Sequence, residues 1–72
     1  MTPLERVADT LLSRASRALT HDAVYAVCRS HGIDPGHATD IAERIEAAEV
    51  RGDLDTDNET LAERIADLVV RP

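Results

Sequence analysis

Along this chain apolar residues return every three or four positions, and no stretch shows the alternation of a strand. The first stripe is Leu4, Val7, Ala8, Leu11, Leu12, Ala15 and Leu19. It predicts an amphipathic helix with one apolar side. Thr2-Pro3-Leu4-Glu5 marks its start: the Thr2 hydroxyl can accept from the Glu5 N–H, and the Glu5 carboxylate can reach back to the Thr2 N–H. Proline suits the first helical position, which needs no donor. A second stripe, Ala23, Val24, Val27 and Cys28, begins behind Thr20 as cap and runs out near His31. A third helix is predicted from Pro35 to Val50, with Ala38, Ile41, Ala42, Ile45 and Ala48 on one side and Gly52 ending it. Gly52-Asp53-Leu54-Asp55 is a short polar connection with Leu54 turned inward. Thr56-Asp57-Asn58-Glu59 repeats the capping-box pattern, with Thr56 in the cap position. A fourth helix comes next, burying Leu61, Ala62, Ile65, Leu68 and Val69, and Pro72 closes the chain. Connections this short are usual between packed helices. The pattern predicts a single all-α domain over residues 1–72, a compact orthogonal bundle of four short helices.

The middle pair of helices organises the rest. Gly32 can adopt the left-handed conformation that ends a helix, and Ile33 can fold back as the hydrophobic contact of that cap. Asp34 then caps the next helix and Pro35 opens it. The spacing Val27, Cys28, Gly32, Ile33, Ala38, Ile41 resembles a DNA-binding helix-turn-helix, with Cys28 as the small residue and Gly32 in the turn. That resemblance covers about twenty residues and implies two helices at a steep angle. Gly32-Ile33-Asp34-Pro35 is similar to the Gly-x-Asp-Ser of acyl carrier proteins. The serine that carries the prosthetic group in that family is Pro35 here. Without a hydroxyl the carrier function does not transfer, and no cofactor is expected.

Seven Leu, six Val, four Ile and a single aromatic, Tyr25, are the large apolar residues available to a core. Cores of this size rarely leave more than ~3–5 kcal/mol net. Modest stability, or completion by a partner or a second copy, is therefore expected. One cysteine cannot form an internal disulfide. Glu5, Arg6 and Asp9 interrupt the first ten residues, so neither a secretory leader nor a membrane span is expected, and the default compartment is cytoplasmic. All eight basic residues are arginine. That habit suits a GC-rich genome, and the expected source is an actinobacterium or one of its phages.

The net charge of −6 is unevenly spread. Residues 1–33 carry three acids (Glu5, Asp9, Asp22) and four arginines (Arg6, Arg14, Arg17, Arg29). Residues 34–59 carry nine acids (Asp34, Asp40, Glu43, Glu46, Glu49, Asp53, Asp55, Asp57, Glu59) against Arg44 and Arg51. The bland explanation is a solvated helix face plus acids that complement helix dipoles. The functional one is a contact surface for a basic partner. Tyr25, just off the core stripe, is either an interface anchor or an edge-of-core residue. Val50, Val69 and Val70 exceed what a tidy stripe needs and belong either to the core or to a homodimer seam. The expected partner-binding set is Tyr25, Asp40, Glu43, Glu46 and Val50, on a small acidic regulatory or inhibitory module that docks on a protein. In its most pointed form, the carboxylates stand where phosphates would lie on a nucleic-acid-binding partner.

The alternative is a dimeric helix-turn-helix transcriptional regulator. Its contacts would come from Arg14, Arg17, Arg29, His37, Thr39 and Arg44. It ranks second because the leading residues of the would-be recognition helix are Asp34, Pro35, Gly36, Thr39, Asp40 and Glu43, which oppose a phosphate backbone. Metal binding has only Cys28-x-x-His31, with Asp34 and His37 near the turn, and lacks the thiol pair of a zinc site. Catalysis lacks a pocket and a buried carboxylate, so neither a metal nor an enzymatic activity is expected.

Overall fold

Residues 2–14 and 19–70 are described by a computed structural model of the chain. Side-chain oxygens start every helix. Thr2 accepts from the Glu5 N–H at 3.2 Å, and the Glu5 carboxylate accepts from the Thr2 N–H at 3.0 Å. This reciprocal box opens α1, Pro3–Ser13. The Thr2 N–H, then the Thr2 side chain, holds the Glu5 carboxyl below its ordinary range. Thr20 accepts from the Ala23 N–H ahead of α2, His21–Ser30. Asp34 accepts from the His37 N–H ahead of α3, Pro35–Val50. Asp57 accepts from the Thr60 N–H at 2.8 Å ahead of α4, Asn58–Val69.

The last start lies one residue later than the sequence pattern predicts, since the cap is Asp57 and not Thr56. Both residue types can cap, but the carboxylate is the stronger acceptor. With Asp57 in that place the third helical residue is Thr60, so Glu59 cannot close a box. Hydrogen bonding from the Thr60 backbone, then from its side chain, holds the Asp57 carboxyl below the usual carboxylate range.

Leu19 also differs from expectation. It is buried but precedes Thr20, outside α1, whose C-cap is Arg14. It sits just before the cap, with Val24 buried one turn into α2, the two positions of a hydrophobic staple. Its seven-residue spacing from Leu12 therefore arises without a continuous helix. Ala15, Arg17 and Pro72, each given a place in the sequence pattern, lie outside the described residues.

Two helices end alike. Gly32 has φ +83° and Gly52 has φ +79°. At the first, the Gly32 N–H donates to the Arg29 carbonyl and the Ile33 N–H to the Cys28 carbonyl. At the second, Gly52 donates to Glu49 and Asp53 to Ala48. These are the paired bonds of a Schellman cap.

The stripes meet in one core of Val7, Leu11, Leu19, Val24, Val27, Cys28, Ile33, Ala38, Ile41, Ala42, Ile45, Leu61, Ile65 and Val69. Leu4, Ala8, Leu12, Tyr25, Leu54 and Leu68 pack against it from the edge. Helix α2 packs chiefly on α3, and α1 chiefly on α4. The result is an all-α bundle of four helices, with no strand among the described residues. Its radius of gyration is 10.7 Å, close to the ~11 Å expected for a tight chain of this length. A side-chain link closes α1 on α2: Thr10 Oγ1 and His31 Nε2 lie 3.1 Å apart. No described helix is long and apolar enough to cross a membrane.

Candidate functional site

Helix α3 has two faces of opposite character. Ala38, Ile41, Ala42, Ile45 and Ala48 are all buried. Asp40, Glu43, Glu46, Ala47 and Val50 are exposed, and by helical spacing they fall together on the opposite face. Val50 is 83% exposed, far from the core role open to it in the sequence. Glu49 is exposed as well and lines a shallow cleft of about 210 Å³ with Leu19, Leu54, Asp55 and Leu61. Sequence reasoning left it out of the set, although it stands three residues from Glu46.

The carboxylates of this face are unengaged. Ion pairs join Arg51 and Arg64 to Asp53 and His21 to Asp22, and Arg44 and Asp67 are engaged as well. None involves Asp40, Glu43, Glu46 or Glu49, and no hydrogen bond ties these side chains down. Each successive pair is three residues apart, close enough for like charges to repel by roughly 0.2–0.5 kcal/mol per pair. Nor do they complement the helix dipole. The first turn of α3 holds no acid, and Glu46 and Glu49 sit toward the end where negative charge is disfavoured. Helix electrostatics thus account for Asp34, Asp57 and Glu59 of the acidic stretch but not for these four.

The arginines are dispersed and partly employed. Arg29 Nη1 donates to the Ile33 carbonyl at 2.9 Å, closing the Gly32 turn. Arg44 Nη1 donates across to the Leu68 carbonyl of α4 at 3.3 Å. Arg14 is the C-cap of α1, and Arg17 lies outside the described residues. Thr39 Oγ1 donates to the Pro35 carbonyl of its own helix, and the His37 N–H is taken by the Asp34 cap. Of the residues of the nucleic-acid alternative, His37, Thr39 and Arg44 stand on α3, Arg29 on α2 and Arg14 at the end of α1.

Tyr25 is half-buried against the core on α2. Of the expected partner-binding set, Asp40, Glu43, Glu46 and Val50 share the exposed face of α3, and Tyr25 stands on α2. Cys28 is fully buried, and loss of solvent pushes its thiol pKa up. His31 is turned to Thr10. No group of three or more His, Cys, Asp or Glu among the described residues is placed to hold a metal ion.

Fold and site together define a small helical bundle that shows an anionic face of α3 to solvent. No protein-family model, curated protein or solved structure matches the chain.

Proposed function

We propose that this chain is a small cytoplasmic docking module, regulatory or inhibitory, whose α3 face binds a basic surface on a protein partner. Asp40, Glu43 and Glu46 supply the charge, and Val50 supplies an apolar contact at the end of the row. The supporting observation is that these carboxylates are exposed and unpaired, at a spacing where like charges repel. A cationic partner would offset that repulsion on contact. Complementary charge also speeds encounter and rejects acidic competitors. Duplex DNA is such a competitor, because its phosphates meet the same face.

The experiment is capture from nuclease-treated host lysate, followed by titration of the captured protein. Replacing Asp40, Glu43 and Glu46 by arginine abolishes capture, and the wild-type complex weakens steeply as salt rises. Unchanged capture by that variant, or tight salt-dependent binding of the wild-type chain to duplex DNA, contradicts the reading.

A further inference from the structure

A second surface lies away from α3, along the seam of α1 and α4. Ala8 and Leu12 of α1 and Ala62, Ala66 and Val70 of α4 line an open groove, together with Glu5 and Asp9. Its volume is about 210 Å³. The floor is apolar and built largely from alanine, so a helix backbone can approach closely. Val70, 38% exposed, closes one end.

The borders come from helical spacing. On α1 the row Ala8, Leu12 is flanked by the row Glu5, Asp9. On α4 the row Ala62, Ala66, Val70 is flanked by Glu59, Glu63. All four border acids are exposed. The nearest arginine on α4, Arg64, is turned away, donating to the Asp53 carbonyl at 2.9 Å. An apolar trough between two acidic borders is complementary to one kind of occupant.

We propose that the α1–α4 groove binds an amphipathic helix of another protein, with an apolar ridge for the floor and arginine or lysine on both flanks. Helix-in-groove recognition uses this division of labour, with apolar anchors for affinity and flanking charge for selection. A second copy of the chain is a poor occupant. It carries a net charge of −6 and would lay its own acidic border against Glu5, Asp9, Glu59 and Glu63. No residue of the α3 face takes part, so the groove binds its helix whether or not that face has a partner.

The test uses the full chain, isotope-labelled, and two synthetic helical peptides that share a leucine ridge. One has arginine flanks and the other glutamate flanks. Amide shifts of Ala8, Leu12, Ala62, Ala66 and Val70 should move with the arginine peptide only. The exposed double variant D9R/E63R should lose about tenfold in affinity while its helical circular dichroism stays unchanged. A66R, which fills the trough, should abolish binding; if it fails to fold, the double variant still decides. Four outcomes overturn the proposal: equal binding of both peptides, no binding, shifts confined to Asp40, Glu43 and Glu46, or concentration-dependent self-association that moves the groove residues.

Discussion

The ends of α2 and α3 share a backbone conformation but lead into residues of opposite character. Gly32 and Gly52 have nearly the same φ, and each is closed by the same pair of amide bonds. After Gly32 comes Ile33, only 7% exposed, which joins the core and fixes the direction in which α3 departs. After Gly52 comes Asp53, a partly exposed carboxylate 3.0 Å from the Arg51 Nε and 3.8 Å from an Arg64 nitrogen. One turn is fastened by burial and the other by solvated ion pairs. A cap sets where a helix stops, while the residue after it sets how firmly the next segment is held.

The sharpest way to break this comparison is Ile33→Ala. Removing a buried isoleucine side chain costs about 2–4 kcal/mol, a large share of the stability of so small a domain. Urea denaturation should show a markedly lower midpoint with little change in slope. Gly32→Ala and Gly52→Ala should come next and should match each other at about 1 kcal/mol each, because the left-handed backbone alone is strained. A Cβ at either glycine meets no atom within 4 Å, so nothing else distinguishes the two sites. Unequal losses would show that the turns differ in the backbone after all. Asp53→Ala should cost less than about 1 kcal/mol and lose its effect at high salt, as exposed pairs do.

The smallest effect concerns pH. The folded-state pKa of Asp57 lies below its ordinary value because the Thr60 N–H favours the carboxylate. Its contribution is therefore complete above the usual carboxylate range and is lost as pH falls through the folded-state value. Asp57→Asn keeps an acceptor oxygen at the cap but does not titrate. Its melting temperature should fall less than that of the wild type between neutral and acid pH. Equal falls would remove Asp57 from the acid response.

Much of this was legible along the chain because it is local. The Thr2 and Asp34 caps, both glycine stops and the buried face of α3 each depend on residues within a turn or two. The features that escaped depend on distance or competition. The Thr10–His31 link joins residues 21 positions apart, and nothing in either neighbourhood announces it. Thr56 and Asp57 are adjacent good caps, and the Thr-x-x-Glu spacing favoured the weaker acceptor. The bond from Arg29 to the Ile33 carbonyl also escaped, because it depends on the turn at Gly32 folding the chain back. Of the site, the four α3 residues could be grouped by period alone. Tyr25 is on another helix, so its place relative to them depends on how α2 packs and not on period.

The central claim is that the unpaired carboxylates of α3 carry the binding. Its most direct test is calorimetric titration of the captured partner with wild type and with the Asp40, Glu43 and Glu46 to arginine variant, each at low and high salt. Tight, salt-sensitive binding by the wild type and none by the variant is the predicted result, with equal helical content in both chains. Equal affinity of the two chains at both salt concentrations would contradict it.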